Sequence, residues 1–414
     1  MPIRSRSAAP APSPKLMPRI TQKHIAQQLG LSHSAVKGAL NPDPRVRLRP
    51  ETRQRVLRLA QRLGYRPHRQ AQILRGKKSG LVGIIKGISL VQAGVEKAFY
   101  VARAIQRSGY GLTVNELHWD ELGLRRAVDA MLDAQVEGVL LNAPWTEKAD
   151  ALEIQRLRDQ GIPVIALGVA GSADVPAVQV DYRQGMRDLT RHLLARGFRR
   201  LNLICPVAPE ALDRSSNITF SERARGFLEA AADARLPSSQ ARILHLAKSP
   251  DWRDSYVLGR MAIQKIEAEG VRPEALLCSN DESAVGALLA CAEAGWRVPD
   301  DLAVTGFDNS TISRYMRPAL TTVAQPSEAV AEKAVELLLK RIRGQRLVKN
   351  ELSMKFPCRL VIRESCGQTR RDDPDQTNPK TISTPAPPRS AAEPPRPAEG
   401  SPHPPPRTPA SARD

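Results

Sequence analysis

From Leu81 onwards the chain alternates short apolar runs with stretches of helical periodicity, and this alternation limits the folds that it can adopt. The apolar runs that resemble strands are 81–85, 138–141, 164–167, 201–204, 275–278 and 302–305. Helical stretches separate most of them, a pattern typical of parallel, doubly wound α/β structure. The region is about 285 residues long, more than one such sheet needs, so we expect two lobes with a cleft between them.

Charge is distributed unevenly along the 414 residues, whose formal net charge is +19. Residues 1–80 hold 18 Lys and Arg against 2 Asp and Glu, a net of +16, so residues 81–414 contribute only +3. A basic segment joined to a nearly neutral globular body indicates a polyanion-binding module on a separate folding unit.

The basic segment contains three short helical patterns. Thr21 and Ser32 are suitable N-caps for the first two, and Gly30 can end the first. Pro50 occupies a first-turn position of the third, which Gly64 ends. Three helices with a tight glycine turn between the first two predict a helix-turn-helix.

Both ends of the chain lack the apolar periodicity of a folded segment. Residues 1–18 are rich in Pro, Ala, Ser and Arg, and residues 367–414 contain 13 prolines. Such segments cannot offset their ordering entropy by burial, so we expect a disordered arm and a disordered tail. The residues leave open whether translation begins at Met1 or at Met17.

Five cysteines occur, and none is part of a CxxC pair. An odd number without such pairs argues against a disulfide framework and against a zinc site, so we expect no metal. The N-terminus has no apolar leader, and no stretch approaches the length of a membrane span. These features predict a cytoplasmic protein without a membrane partner.

Common catalytic and cofactor-binding motifs do not occur in the sequence. GxGxxG, GxxxxGK, GxSxG and HExxH were each sought, and none is present. The sequence therefore predicts a protein that is not an enzyme and has no cofactor. A cleft without a nucleophile, a base or a metal set is typical of a sensor.

Several sequence runs together carry a family resemblance. The first part contains ITQKHIAQQLGLSHSAVKGALN at 20–41, ETRQRVL at 51–57 and LGYRP at 63–67. The later matches lie at 178–185, 222–227, 279–287, 305–309 and 318–326. With the helix-turn-helix ahead of an α/β core, these runs resemble the LacI/GalR family of bacterial transcription repressors, and the resemblance extends to about Cys366.

The resemblance implies a helix-turn-helix headpiece and a two-lobed α/β core similar to periplasmic sugar-binding proteins. The implied divisions are an arm at 1–18, a headpiece at 19–67, a hinge at 68–79, a core at 80–366 and a tail at 367–414. Within the core, the first lobe comprises about 80–179 and 324–354, and the second about 180–323 and 355–366.

In this family the second helix of the headpiece enters the major groove of DNA. By position, His33 and Ser34 open that helix, and position 38 also faces the bases. Gly38 stands where the family usually has Arg, and Lys37 where it usually has Ser, so one major-groove anchor is missing. We expect Lys37 to meet phosphate and the operator to differ from the family's common half-site. The alternative is that His33 and Ser34 are ordinary exposed residues at a helix start.

Arginines cluster around the loop before the third helix. Arg45, Arg47, Arg49 and Arg53 have few acidic neighbours in the sequence. They are expected to contact phosphates, which gives affinity without sequence preference. The alternative is a solvated charged face.

Residues 68–75 match the family's hinge helix, which forms when the dimer sits on DNA. The resemblance implies that Leu74 wedges between base steps in the minor groove and that the small Ala71 lets the two hinge helices approach. An isolated helix of this length is unstable in water, so its folding can be coupled to DNA binding. The alternative is a flexible linker with Leu74 packed on the core.

For the cleft, the resemblance implies an effector site with Arg223, Asn280 and Asp308. A guanidinium and a carboxylate facing one ligand suit hydroxyl or carboxylate groups. Trp252 lies near the family's stacking aromatic, with a core aromatic as the alternative. Arg223 and Asp308 could instead form a salt bridge between lobes. The segment after the first strand departs from the family's Asn-Pro-Phe-Phe, so the first lobe's share of the site is not identified.

Taken together, the sequence predicts a homodimeric repressor that binds a pseudo-palindromic operator in double-stranded DNA. A small-molecule effector, such as a sugar or a related metabolite, is expected to set its affinity. Two other interpretations stay open: a ligand-binding protein with a degenerate DNA module, and a ligand-independent architectural or activator protein. The sequence fixes neither the effector nor the direction of its effect on DNA binding.

Overall fold

The computed structural model describes residues 20–40, 48–65, 78–87, 92–117, 122–142, 148–168, 175–213, 218–246 and 254–367. Several predictions concern residues outside these ranges. They are the arm at 1–18, Arg45 and Arg47, the hinge helix with Ala71 and Leu74, Trp252, and the tail from residue 368. These stay predictions.

Three helices make up the N-terminal unit: α1 (Gln22–Leu29), α2 (His33–Leu40) and α3 (Pro50–Arg62). Thr21 and Ser32 each accept a backbone N–H from the first turn of the helix that follows. Gly30 ends α1 at φ 64°, in the left-handed region that favours glycine. The unit has a core of its own, formed by Ile25, Ala26, Val36, Ala39, Val56, Leu59 and Ala60. The predicted helix-turn-helix is confirmed.

The remaining elements belong to the α/β core. Its strands are β1 (Leu81–Gly87), β2 (Gly111–Leu117), β3 (Val139–Asn142), β4 (Val164–Gly168), β5 (Ala177–Asp181), β6 (Leu201–Cys205), β7 (Ala241–His245), β8 (Ala275–Leu277), β9 (Ala303–Thr305), β10 (Thr322–Ala324), β11 (Ser353–Pro357) and β12 (Arg359–Val361). Its α-helices are α4 (Gln92–Arg107), α5 (Gly123–Asp133), α6 (Lys148–Asp159), α7 (Tyr182–Ala195), α8 (Ile218–Asp233), α9 (Ser255–Glu269), α10 (Asp281–Glu293), α11 (Ile312–Tyr315) and α12 (Ser327–Ile342).

Two parallel sheets define two lobes, as predicted. The first has the strand order β11-β5-β4-β3-β1-β2, and the second has the order β7-β6-β8-β9. The strand order reverses between β1 and β3 and again between β6 and β8. In open α/β sheets, ligands bind outside the carboxyl ends of the strands at such points. The topology therefore predicts a ligand site at the carboxyl edges of both sheets.

The chain passes between the lobes near positions 181, 324 and 357. The first-lobe segments were predicted to end at 179 and 354, but β5 continues to Asp181 and β11 to Pro357 in the first sheet. Val180 pairs with Phe356 there. Two of these crossings therefore lie a few residues later than the boundaries predicted from the sequence. The reason is that a strand leaves the sheet where its hydrogen bonds to the neighbouring strand end, and the family motifs do not record that point.

The sequence identified the strands whose residues are buried almost throughout. In β4, for example, all five residues are buried, as expected for a strand covered on both faces. The strands that it missed are β2, β5, β7, β10, β11 and β12. Of these, β2, β7 and β11 lie at sheet edges, and β10 and β12 have three residues each.

Two further sequence expectations concern the whole chain. All five cysteines fall within the described residues, where they are buried free thiols, as expected for a protein without disulfides. Among the helices of the described ranges, none has the length and apolar content needed to cross a membrane.

Helices α9 and α10 pack backbone against backbone through two glycines. A Cβ atom added to Gly286 would overlap the carbonyl of Tyr256, and one added to Gly259 would overlap the carbonyl of Ser283. Neither carbonyl can move without shifting a helix. This contact fixes α10, and with it the residues at its N-terminus.

We expect Gly286→Ala to lower the free energy of unfolding by about 1 to 3 kcal/mol, the usual cost of overpacking. Alanine favours a helix by up to about 1 kcal/mol over glycine, so any loss reflects the helix contact. Urea denaturation measures it. The control is Gln264→Ala on the exposed face of α9, which should stay within about 0.5 kcal/mol of wild type. A Gly286→Ala protein as stable as wild type would contradict the packing.

Candidate functional site

Helix α2 presents polar side chains at its first two turns. His33, Ser34 and Lys37 are exposed, as a surface that reads DNA requires. The Ser34 hydroxyl lies 2.9 Å from that of Ser32, the residue that caps the helix. The positive end of the helix and the Lys37 side chain together favour a negatively charged partner.

Gly38 differs from these residues because it is buried within the headpiece. Its carbonyl accepts a hydrogen bond of 3.5 Å from the guanidinium of Arg53 on α3. The base contact expected at position 38 stays a prediction, and Gly38 has no side chain with which to make it. Arg53 is half-buried and ties α3 to α2, so its predicted phosphate contact would compete with this packing.

Other arginines of α3 remain at the surface. Arg49, just before the helix, and Arg55 and Arg58, further along it, are exposed. Arg49 was predicted from the sequence, whereas Arg55 and Arg58 were not. Their signal was the spacing of three residues that places both cations on one side of the helix.

In the core, the structure brings together two of the predicted cleft residues. Arg223 on α8 and Asp308 after β9 form a salt bridge of 3.3 Å, with side chains only 7% and 2% exposed. Both residues belong to the second lobe, so the salt bridge does not connect the lobes. The alternative of an interlobe bridge between them is thereby corrected.

Aromatic rings surround the Arg223 guanidinium. Its central carbon lies 4.3 Å from the ring centre of Phe307, 4.6 Å from that of Tyr182 and 5.6 Å from that of Phe220. Such contacts stabilise a cation that has lost water. Within the described part of the chain, the Nε of Arg223 is buried without a hydrogen-bond partner.

Asp308 is held by a second donor and by its backbone. The amide of Gln325 donates to the same carboxylate oxygen at 2.6 Å. Asp308 has a φ of 122°, outside the region that a side chain usually permits, and such strain often marks functional sites. Burial raises the pKa of the Asp308 carboxyl well above its usual range, and the neighbouring Arg223 opposes that shift.

Among the residues that the structure describes, no hydrogen bond joins Asn280 to this pair. Its side-chain oxygen accepts the N–H of Ser283 at 2.9 Å, which caps α10, and its amide donates to the Ser255 hydroxyl at 2.8 Å. These bonds account for its buried amide and give it a structural role. Contact with a ligand would require one of them to be exchanged.

The next residue, Asp281, was not identified from the sequence. Its buried carboxylate accepts hydrogen bonds from the Thr322 hydroxyl at 2.5 Å and from the N–H and hydroxyl of Ser310 at 2.6 and 2.9 Å. Burial raises its pKa to about 7, although these hydrogen bonds act in the opposite direction. The carboxylate thus fastens α10 to β10 and to the loop after β9.

Two hydrogen bonds join the lobes at Gln92, the first residue of α4. Its backbone N–H donates to a carboxylate oxygen of Glu282 at 2.8 Å, and its side-chain amide donates to the Thr311 hydroxyl at 3.0 Å. A carboxylate at a helix N-terminus is electrostatically favourable. The lobes therefore meet through polar contacts that a change in their orientation would break.

Comparisons with known proteins agree with this architecture. Residues 190–366 match a family model described as a periplasmic binding protein-like domain. The chain is 26% identical to catabolite control protein A of Priestia megaterium over 354 residues, 84% of this chain and 99% of that protein. It is 29% identical to the HTH-type transcriptional repressor PurR of Klebsiella pneumoniae over 348 residues, 83% and 96% of the two chains.

Solved structures show the same fold. A Lac repressor dimer bound to operator and an anti-inducer aligns with a TM-score of 0.71 at 24% identity, covering 84% of this chain and 99% of that one. The regulator CelR in complex with cellobiose aligns with a TM-score of 0.59 at 22% identity, over 84% and 100%. Fold and site together define a helix-turn-helix headpiece joined to a periplasmic-binding-protein-like core. In sequence and in fold, the chain is similar to regulators of the LacI/GalR family.

The Arg223–Asp308 pair leads to a stability prediction. Removing one partner of a buried ion pair leaves the other charge unpaired, which costs about 3 to 5 kcal/mol. We expect Arg223→Met and Asp308→Asn each to be strongly destabilising, and the double variant to lose much less than the sum of the two. Urea denaturation of the four proteins at pH 7 gives the coupling energy.

The control for this cycle is Arg225→Met on the same helix. Arg225 is partly exposed and pairs with Glu222 and Asp213, so its loss should cost less than the loss of the buried Arg223. Additive losses in the Arg223 and Asp308 variants would show that the two side chains do not stabilise each other.

Proposed function

We propose that this protein is a homodimeric, sequence-specific DNA-binding regulator, acting as a repressor, and that a small molecule bound between the lobes of its core sets its DNA affinity. The observation that carries the proposal is a separately packed helix-turn-helix unit with an exposed polar recognition helix, in the segment that holds nearly all the excess positive charge. Neither an enzyme nor a passive binding protein needs that unit.

The DNA contacts follow from which side chains are exposed. His33 and Ser34 stand at the start of α2, where side chains reach base edges when the helix lies in the major groove. Lys37 and the exposed arginines of α3 supply phosphate contacts. Because Gly38 offers no side chain to a base, sequence discrimination rests on fewer groups than the family normally uses.

The effector site rests on the second lobe's Arg223–Asp308 pair and the carboxyl edges of the sheets. The relatives support such a site, since CelR is described with cellobiose and the Lac repressor with an anti-inducer. A ligand shifts the equilibrium between lobe orientations only by its difference in affinity for the two states. Such a shift would break the hydrogen bonds that Gln92 forms between the lobes and replace them with others.

We place the protein in the cytoplasm and assign it no catalytic role. Its relatives are named as a control protein and as repressors, not as enzymes. A ligand-binding protein with a degenerate DNA module is the second candidate, favoured by the buried Gly38. Footprinting on genomic fragments separates the two, because only the regulator protects discrete sites.

DNA affinity should fall steeply with salt. A dimer that makes about 6 to 10 phosphate contacts loses about 10³ to 10⁵-fold in affinity between 50 and 200 mM salt. Lys37→Ala should lower the magnitude of the slope of log affinity against log salt by about one per contacting protomer. Fluorescence anisotropy with a footprinted fragment measures both effects.

The control is Lys265→Ala, which removes the same charge from the exposed face of α9 in the core. It should leave the salt slope unchanged. A wild-type affinity that hardly responds to salt would argue against the headpiece as the docking surface.

The effector response should depend on the buried pair. A screen of wild-type melting temperature against neutral and anionic compounds, namely cellobiose, ribose, adenosine, gluconate and glucose 6-phosphate, identifies a stabilising compound, since a ligand at 100 times its dissociation constant contributes about 2.7 kcal/mol. We expect Asp308→Asn to abolish the effect of that compound on DNA affinity while the DNA complex still forms. A full response in the variant would place the compound elsewhere, and loss of DNA binding would indicate a structural role.

A further inference from the structure

Lys97 is a buried cation in the first lobe. It lies on α4 with only 5% of its surface exposed. Its ammonium group is 3.5 Å from the hydroxyl of Tyr182, which is at the limit of hydrogen-bonding distance. Tyr182 begins α7, directly after β5, so the ammonium lies where the carboxyl ends of the first sheet's strands meet the second lobe.

Within the described part of the chain, Lys97 forms no ion pair, and the nearby carboxylates have other partners. Glu96 accepts from the Tyr100 hydroxyl at 3.4 Å, Asp181 caps α7, and Asp308 binds Arg223. Burial raises the pKa of the Cys358 thiol to about 12, so that side chain is not an anion either. An unpaired charge held away from water is costly unless some other group compensates it.

A glycine of the first sheet lies next to the Lys97 ammonium group. Gly168, the last residue of β4, has a φ of 88°, a conformation that favours glycine. A Cβ atom there would lie 3.2 Å from the Lys97 nitrogen, 3.6 Å from the side-chain oxygen of Asn142 and 3.9 Å from the Tyr182 hydroxyl. A cation, an amide and a phenol thus converge on one position at the carboxyl ends of β3 and β4.

This position is continuous with the buried pair of the second lobe. The Tyr182 hydroxyl also lies 3.5 Å from the side-chain oxygen of Gln325, whose amide donates to Asp308. The Arg223 guanidinium stacks on the Tyr182 ring. One tyrosine therefore connects Lys97 of the first lobe to the Arg223–Asp308 pair of the second.

We propose that the effector of this protein carries an anionic group, a carboxylate or a phosphate, and that Lys97 receives it together with the Tyr182 hydroxyl. The inference rests on the proposed effector site and specifies the chemistry of its ligand. A neutral sugar would bring no charge to compensate that of Lys97, which has no ion-pair partner among the described residues. An anionic ligand contributes a charge-assisted hydrogen bond in a site shielded from water.

The test compares wild type with Lys97→Met and Lys97→Gln by melting temperature. The first probes are sodium phosphate and sodium acetate, each measured against sodium chloride at equal ionic strength. The second probes are glucose, gluconate and glucose 6-phosphate, which share a sugar frame and differ in charge. The acetate and gluconate arms report a carboxylate, and the phosphate and glucose 6-phosphate arms report a phosphate.

Arg103→Met is the matched control. Arg103 lies on the same helix, pairs with Glu328 at the surface and carries the same charge. It therefore reproduces any general electrostatic effect of removing a cation from α4. We expect it to behave like wild type with every probe.

The expected result is that at least one anion stabilises wild type and Arg103→Met beyond chloride, whereas both Lys97 variants lose at least tenfold in apparent affinity for it. In the absence of ligand, Lys97→Met should melt no lower than wild type, because it removes an uncompensated buried charge. The inference is overturned if every anion shifts wild type and both Lys97 variants equally, or if no anion stabilises wild type beyond chloride.

The proposed function fails in a different measurement. Wild-type protein that protects no discrete site in genomic DNA would reject the regulator, whatever the anion titrations show. Wild-type protein that protects such sites and responds to a neutral compound, with Lys97 variants unaffected, would reject only the anionic effector.

Discussion

The carboxylate of Asp281 holds together the segments from which the cleft side of the second lobe is built. It accepts hydrogen bonds from the loop after β9 and from β10, and it stands at the first residue of α10. Gly306 leaves it no space to move, since a side chain there would overlap a carboxylate oxygen. Asp308 and Gln325 lie on the same segments, so their positions depend on this one buried group.

Parallel sheets covered on both faces leave only their carboxyl edges for polar chemistry, and the core follows that rule. Lys97, Tyr182, Gln325, Asp308 and Arg223 form a line of polar contacts from the first lobe to the second. Each contact is buried or partly buried, so water cannot replace a hydrogen bond that a bound ligand breaks. A ligand that replaces one of these contacts therefore changes the relative free energy of the lobe orientations.

In the headpiece, different side chains would supply the affinity for DNA and the discrimination between DNA sequences. Its exposed cations attract any polyanion, whereas in the proposed function His33 and Ser34 at the start of α2 read the bases. The hydrogen bond from Arg53 to the Gly38 carbonyl joins α3 to α2, and glycine at position 38 offers no side chain to a base. In the proposed function, selective binding therefore depends more on the dimer and on the equilibrium between lobe orientations.

Local signals in the sequence determined the three headpiece helices, their caps at Thr21 and Ser32, and the strands that are apolar on both faces. They did so because capping and periodicity act over a few residues. The family resemblance supplied Arg223 and Asp308. Only the tertiary structure decided that this pair lies within one lobe, that Asn280 caps a helix and that Lys97 is buried with no ion pair to any residue of the described ranges. Those facts depend on contacts between residues far apart in the chain, which no local pattern records.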